Sequence, residues 1–153
     1  MANSYTQLYT HYIFAVNERR SLISEEIKER VYMYITGIIK SLDCKLVIIN
    51  GTPDHVHILV SQNPTISVSE FAMKVKANSS RDINANNLLS GSKFNWQEGY
   101  GAFAYSKSQV HKVLEYIMDQ EIHHTRFTFR DEYIRLLTEA GIEFDEKYIF
   151  KPL

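Results

Sequence analysis

His55 and His57, two histidines separated by one residue, form a pair whose type and spacing suggest metal binding. His55 and His57 flank Val56 in the run HVHILV, whose β-branched and apolar residues predict a strand. Successive side chains of a strand point to opposite faces, so the two imidazoles share one face at a separation of roughly 7 Å. Neutral imidazole is a common metal ligand, and two on one face can converge on one divalent ion. If helices leave this face uncovered, the pair is accessible; the alternative is that both histidines simply lie on an exposed strand.

A tyrosine and a glutamine four residues apart form a second candidate pair. Tyr116 and Gln120 lie in a segment whose apolar residues repeat at helical spacing, so the two are neighbours on one helix face, at the edge of the apolar stripe. That stripe consists of Val110, Val113, Leu114 and Ile117. Tyrosine can act as a covalent nucleophile, and the amide oxygen of glutamine can bind a hard cation. The alternative is a half-buried tyrosine beside a solvated glutamine, and spacing alone does not single out Tyr116 among the ten tyrosines.

Local patterns predict the elements that must position these residues. Strands are predicted at 5–16, 45–50, 55–61 and 101–105, and helices at about 25–40, after Ser67, after Ser106 and at about 132–140. Capping-box sequences begin the second and third helices, and the turn at 51–54 joins two strands into an antiparallel hairpin. The order β-α-β-β-α-β predicts an α+β, ferredoxin-like antiparallel sheet with helices on one face, followed by a C-terminal helix that is a candidate catalytic helix because it carries Tyr116. Without repeats or linkers, 1–153 is predicted to be one domain, with 127–153 as a C-terminal tail.

The composition excludes several classes of protein. Seventeen Lys and Arg against eighteen Asp and Glu give a formal charge of −1, which rules out a polybasic nucleic-acid coat but leaves room for a local basic face. The single cysteine, Cys44, excludes a disulfide framework and a cysteine-based zinc site. No apolar run approaches the ~20 residues that span a bilayer, and the first residues lack a signal-peptide pattern, so a cytoplasmic protein without a membrane partner is expected.

Basic side chains outside these pairs are candidates for contacts with nucleic-acid phosphates. They are Arg19 and Arg20 in the first loop, Lys74, Lys76 and Arg81 on the second helix, and Lys112 one turn before Tyr116. Neutralised phosphates supply much of the affinity for nucleic acids, but a solvated surface explains these residues equally well. His11 on the first strand could face the sheet surface beside the HVH strand, and His123 and His124 are interpreted as lying past the metal site.

Four stretches of the chain, in this order and spacing, resemble the single-tyrosine transposases of the insertion-sequence-200 family. They are DHVHILV at 54–60, FNWQEGYGAFAYSKS at 94–108, LEYIMDQEIHH at 114–124 and GIEFDEKYIF at 141–150. The family belongs to the HUH group, named for its His-hydrophobic-His motif. That tripeptide alone is a weak signal, but a later Y-x-x-x-Q helix in a chain of this length makes the resemblance specific, and it covers nearly the whole chain.

The resemblance implies an enzyme that cleaves and rejoins single-stranded DNA at the ends of a mobile element. Carried over to this sequence, Tyr116 would be the nucleophile that forms a 5′-phosphotyrosine intermediate. The metal ligands would be His55, His57 and Gln120. The ion would be Mg²⁺ or Mn²⁺, with no organic cofactor. The partners would be single-stranded DNA with a hairpin at the element ends and a second copy of the chain, in a homodimer whose active sites could be shared between subunits.

Three alternatives remain open. A non-catalytic module that binds single-stranded nucleic acid would explain the stretch at 99–105, which is similar to the aromatic strand of RNA-recognition domains but departs from it at Glu98 and Ala102. Four aromatic side chains could then stack on bases, with core packing expected for at least two: Trp96, Tyr100, Phe103 and Tyr105. A domesticated relative that processes chromosomal hairpin repeats would use the same chemistry as the transposases. A replication-initiator-type nickase also shares the HUH chemistry, but such enzymes are generally larger than a chain of 153 residues. A metal-dependent covalent adduct separates these enzymes from the binding module.

Overall fold

The computed structural model, which describes residues 4–123 and 127–149, contains an antiparallel sheet of four strands. The strands are β1 (Tyr9–Ala15), β2 (Lys45–Thr52), β3 (His55–Ser61) and β4 (Gly101–Tyr105). They lie in the order β2-β3-β1-β4, and each neighbouring pair is antiparallel. The first strand begins later than predicted because Tyr9 already pairs with the last residues of both neighbouring strands, Ser61 and Tyr105.

Five helices connect and cover these strands within the described ranges. They are α1 (Lys28–Ser41), α2 (Val68–Ala85), α3 (Lys107–Met118), α4 (Gln120–His123) and α5 (Phe129–Glu139), with short 3-10 turns at Asn17–Arg19 and Glu146–Tyr148. The predicted N-caps explain two helix starts, since Ser67 Oγ accepts the Glu70 backbone N–H at 3.0 Å and Ser106 begins a complete capping box. The ferredoxin-like order of elements is therefore confirmed. None of the helices in 4–123 and 127–149 has the length and apolarity that crossing a membrane requires.

One face of the sheet packs against α1 and α2. Alternate residues of β1 and β3 point to this face and are fully buried, namely Tyr12, Phe14, Val56, Ile58 and Val60. Full burial of one such apolar side chain stabilises the fold by about 1.5–3 kcal/mol. This core therefore fixes β3 in its register, and the register decides which residues of β3 reach the other face.

The opposite face carries the two histidines and is covered by α3 and α5. Ile117 of α3 packs with Leu59 of β3, and Tyr133 of α5 packs with β1 and β4. The shared face predicted for His55 and His57 is confirmed, but neither an accessible pair nor an exposed strand is found, because both residues are 0% exposed. The covering helices lie here because the segment after β4 folds back across the sheet.

Candidate metal and tyrosine site

The two histidines occupy the first and third positions of β3 and direct their rings into the layer between sheet and helices. Their ring centroids are 5.1 Å apart, with the ring planes at 73°. His55 Nε2 lies 3.1 Å from Gln120 Oε1, and His57 Nε2 lies 3.1 Å from Glu132 Oε1. The strand thus presents two imidazole nitrogens to the same small, buried volume.

Tyr116 and Gln120 reach this volume from the two sides of a helix break. Since α3 ends at Met118 and α4 begins at Gln120, the single uninterrupted helix predicted for the pair is wrong. The side-chain amide of Asn50 on β2 fixes the end of α3 by donating to the carbonyls of Ile117 at 2.9 Å and Met118 at 3.1 Å. Tyr116 is half-buried, and Gln120 is fully buried, so the alternative of a solvated glutamine is also wrong.

Glu132, on the first turn of α5, joins these four side chains. Its side chain is buried, and Oε1 lies 3.1 Å from His57 Nε2 and 3.5 Å from His55 Nε2. Oε2 accepts hydrogen bonds from the Tyr116 hydroxyl and, at 3.0 Å, from the Gln120 side-chain amide. One carboxylate therefore contacts every side chain that the sequence suggested for catalysis or metal binding.

Sequence reasoning missed Glu132. It lies 75 positions after His57, and no local pattern gives the distance between residues so far apart. Its immediate surroundings predict an ordinary first-turn carboxylate, because acidic residues there interact favourably with the helix dipole. The signal that could have pointed to Glu132 was chemical, since a carboxylate commonly completes a metal site that contains histidines.

The second nitrogen of each imidazole is also in contact with a polar group. Asp54 Oδ1 lies 2.7 Å from His55 Nδ1, and the Thr52 hydroxyl donates to the same Asp54 oxygen at 2.7 Å. His11 Nε2, on the neighbouring strand β1, lies 2.7 Å from His57 Nδ1. His11 therefore does face the sheet surface beside β3, although the sequence assigned it no role.

Burial and charge shift the protonation of these groups. Burial lowers the pKa of His55, but hydrogen bonds to Asp54 and Glu132, together with their negative charges, outweigh burial and raise the pKa. Burial, followed by the nearby Glu132 charge, raises the pKa of the Tyr116 phenol. Without a metal ion, the site therefore favours protonated forms of His55 and Tyr116 beside the carboxylate.

The donor set fits a divalent metal ion. One ligand atom from each of His55, His57 and Glu132 lies within 4.8 Å of the others, and all three residues are buried. Gln120 Oε1 lies 3.1 Å from His55 Nε2 and offers a fourth donor. Two imidazole nitrogens with carboxylate and amide oxygens suit Mn²⁺, and the oxygen donors also suit Mg²⁺. The site therefore contains the three predicted ligands and adds a carboxylate to them.

The basic residues of α2 are not gathered at this site. Lys74, Lys76 and Arg81 belong to α2, which packs on the opposite face of the sheet. Lys74 pairs with Glu70 at 2.9 Å, and Lys76 donates to two backbone carbonyls of the loop before β4 at 2.6 and 2.8 Å. Contacts of these residues with DNA remain a prediction and would have to lie away from the histidines.

The other candidates from the sequence lie at the surface or outside the described part of the chain. Arg20 and Lys112 are exposed. The side chains of Arg19 and His123 and the whole of His124 lie outside the described residues. Their contacts with DNA or metal therefore stay predictions.

Two of the four aromatic candidates for base stacking belong to the core, as expected. Trp96 is 8% exposed and donates its indole N–H to Ser79 Oγ at 2.9 Å, and Phe103 is 6% exposed. Tyr100 and Tyr105 are only partly buried. Base stacking is therefore restricted to the latter two if it occurs among these residues.

A family model matches the part of the chain that contains most of these residues. A family model described as "Transposase IS200 like" matches residues 4–120, a span that includes both histidines, Tyr116 and Gln120 and ends before Glu132. No curated protein matches the chain.

Two solved structures share the fold. A protein from Deinococcus radiodurans R1 described as a transposase superposes with a TM-score of 0.63 at 22% identity, covering 78% of this chain and 95% of that one. A REP-associated tyrosine transposase bound to a REP hairpin superposes with a TM-score of 0.61 at 12% identity, covering 100% of this chain and 97% of that one. Since the family model matches well over half of the sequence, the chain belongs to the family of IS200-like transposases.

Proposed function

We propose that this chain cleaves and rejoins single-stranded DNA by attack of Tyr116 on a phosphodiester at a divalent metal site. One observation carries the proposal: the Tyr116 hydroxyl and the His57 Nε2 atom contact the two oxygens of a single carboxylate, that of Glu132. A nucleophile and metal ligands held this close can act on the same phosphate group. Membership of a transposase family supports DNA as the substrate.

Four side chains would hold the ion. They are His55, His57, Gln120 and Glu132. A divalent ion bound there would neutralise charge on the non-bridging phosphate oxygens and make phosphorus more electrophilic. The proposal takes Mg²⁺ or Mn²⁺ as the ion and requires no organic cofactor.

Tyr116 supplies the attacking oxygen. A bond forms from the phenolic oxygen to phosphorus as the bond from phosphorus to the 3′ oxygen breaks, which gives a 5′-phosphotyrosine and a 3′-hydroxyl after that oxygen takes a proton from solvent. The Tyr116 proton is directed at Glu132 Oε2, so this oxygen is placed to receive it. Because the phosphotyrosine remains a phosphodiester, a different 3′-hydroxyl can reverse the step and join new ends.

DNA can reach these groups only after part of the covering layer moves. His55, His57 and Gln120 are 0% exposed, and the Phe129 ring of α5 stacks on the His55 ring with centroids 3.9 Å apart. A phosphodiester must contact both the ion and the tyrosine to react. We therefore expect the Phe129 side chain to turn away from His55 when DNA binds, while Glu132 keeps its place beside the histidines.

The proposed DNA partner carries a hairpin near the cleavage site. The REP-associated transposase with a similar fold was solved with a REP hairpin, which supports a hairpin ligand here. A homodimer is also part of the proposal, although a single chain already places the Tyr116 and His57 rings 6.0 Å apart. A domesticated relative that processes hairpin repeats would use the same site. A non-catalytic binding module does not explain why the buried Glu132 carboxylate accepts a hydrogen bond from Tyr116.

A denaturing gel tests the proposal. The full chain is incubated with labelled single-stranded DNA from the flanks of its own gene, with Mn²⁺ or with EDTA. We expect protein-linked DNA only with Mn²⁺, and we expect it to be lost in Tyr116→Phe and retained in Tyr32→Phe. Tyr32→Phe is a matched control because Tyr32 is a partly buried tyrosine of α1, which packs against the other face of the sheet. An adduct that persists in Tyr116→Phe or in EDTA contradicts the proposed mechanism.

A further inference from the structure

We infer that His11 and Asp54 are positioning residues that orient the two imidazoles so that both Nε2 atoms face the metal ion. The inference rests on the proposed metal site and assigns roles to residues outside its ligand set. His11 contacts His57 Nδ1 and Asp54 contacts His55 Nδ1, each at 2.7 Å. Both contacts occupy the nitrogen that the metal would not use.

The tautomer requirement explains why these partners matter. An imidazole binds a metal through a nitrogen that carries no proton, so His57 must keep its proton on Nδ1 and donate it to an acceptor. His11 Nε2 lies at that acceptor position, and the Asp54 carboxylate has the same relation to His55. An apolar side chain in place of His11 would remove the partner of the buried His57 Nδ1 proton, whereas at His55 the Thr52 hydroxyl, 2.9 Å from Nδ1, supports Asp54.

The surroundings of His11 hold its ring in place. It is 1% exposed, and it stacks on the His57 ring with centroids 5.0 Å apart and an interplanar angle of 30°. Phe103 and Tyr105 of β4 pack nearby, with centroids at 6.0 and 6.2 Å. The hydrogen bond and the stack with His57 keep His11 Nε2 beside His57 Nδ1, and the side chains of β4 complete the burial of the ring.

His11 also has a feature that stability alone does not explain. Its Nδ1 atom is buried with no hydrogen-bond partner among the described residues. A buried polar atom without a partner is unfavourable, and a phenylalanine would fill the same space among aromatic neighbours without that penalty. The contact with His57 therefore accounts for a histidine at this position better than packing does.

Metal titration of the full chain tests the inference. Calorimetric titration with Mn²⁺ compares the wild type with His11→Phe, which keeps a ring but removes both nitrogens, and with His11→Gln, which restores an acceptor. Phe103→Leu is the matched control, because it disturbs the packing of His11 but not its contact with His57. Circular dichroism melts establish that each variant is folded.

We expect His11→Phe to weaken Mn²⁺ binding by about 10–100-fold, the usual cost of losing a group that supports a metal ligand. His11→Gln should recover part of that loss, and Phe103→Leu should bind as the wild type does. If His11→Phe does not fold, Asp54→Leu against Asp54→Asn makes the comparison at His55, in a Thr52→Val background that removes the hydroxyl 2.9 Å from His55 Nδ1. A folded His11→Phe with wild-type affinity, or a His11→Gln as weak as His11→Phe, overturns the inference alone. A wild type that binds no Mn²⁺ overturns the metal site and this inference together.

Discussion

Replacement of Glu132 by glutamine should weaken metal binding more than any change outside the ligand set. The substitution keeps the size of the side chain but removes the charge that lies between His57 and Tyr116. Losing a group that only supports a ligand typically costs 10–100-fold in affinity. Glu132 is itself a proposed ligand, so we expect the Mn²⁺ dissociation constant to rise by at least about 100-fold, or roughly 2.8 kcal/mol.

The same substitution should also lower the stability of the metal-free protein. Removing one partner of a buried ion pair costs about 3–5 kcal/mol when the other charge is left uncompensated. His55 keeps a second partner in Asp54 at 2.7 Å, and glutamine can still hydrogen-bond, so we expect the lower end, about 3 kcal/mol in the free energy of unfolding. Glu139→Gln is the control on the same helix, because its partner Arg135 is 3.9 Å away and both side chains are largely exposed. The control should change stability by less than about 0.5 kcal/mol.

Calorimetric titration with Mn²⁺ and urea unfolding in EDTA measure the two effects separately. Wild-type Mn²⁺ affinity in a folded Glu132→Gln variant would show that Glu132 is not a ligand and would refute the four-ligand site. Equal losses in Glu132→Gln and Glu139→Gln would instead attribute the effect to α5 as a whole, and not to the buried carboxylate.

Three further predictions follow from the same contacts. The pKa of His55 is higher in the folded, metal-free protein than in the unfolded chain, where it is about 6.5. The His55 proton therefore stabilises the fold below pH ~6.5, and this contribution is lost as the pH rises through the raised pKa. Thermal melts in EDTA should show a Tm that falls above pH ~6.5 in the wild type and falls less in His55→Asn. A mixture of Tyr116→Phe and His57→Ala chains should form no adduct in the gel assay, because one chain holds the whole site, and recovered activity would reveal a site shared between subunits. Gly101→Ala should loosen the packing of α5, since the added Cβ would lie 2.9 Å from the Tyr133 hydroxyl oxygen. We expect the free energy of unfolding to fall by about 1–3 kcal/mol and hydrogen exchange in α5 to become faster. Unchanged exchange would contradict this packing argument.

The sequence predicted the elements whose determinants are local. The turn between β2 and β3 falls within the predicted Gly-Thr-Pro-Asp run, but Gly51 and Thr52 still pair in β2 and only Pro53 and Asp54 form the turn. The helix caps at Ser67 and Ser106 are formed. Strand alternation also placed His55 and His57 on one face correctly. These features depend on residues within a few positions of each other, so one sequence is sufficient to predict them.

The parts that could not be predicted depend on contacts between distant segments. The sequence suggested a helix near Glu132, but not that α5 crosses the histidine face and buries the carboxylate against His57, 75 positions earlier. The burial of the histidines has the same origin, because it is produced by α3 and α5 and not by any property of β3. The interruption of the helix between α3 and α4 was missed because the Y-x-x-x-Q spacing is compatible with an uninterrupted helix.

Identification of the residue that becomes joined to DNA tests the central claim most directly. The full chain is incubated with Mn²⁺ and single-stranded DNA from the flanks of its gene, then digested with protease and nuclease, and the modified peptide is sequenced by mass spectrometry. The account predicts a nucleotide attached through its 5′ phosphate to Tyr116, in the peptide from α3. A nucleotide on another tyrosine, such as the neighbouring Tyr133 of α5, or a linkage through a 3′ phosphate, would contradict it.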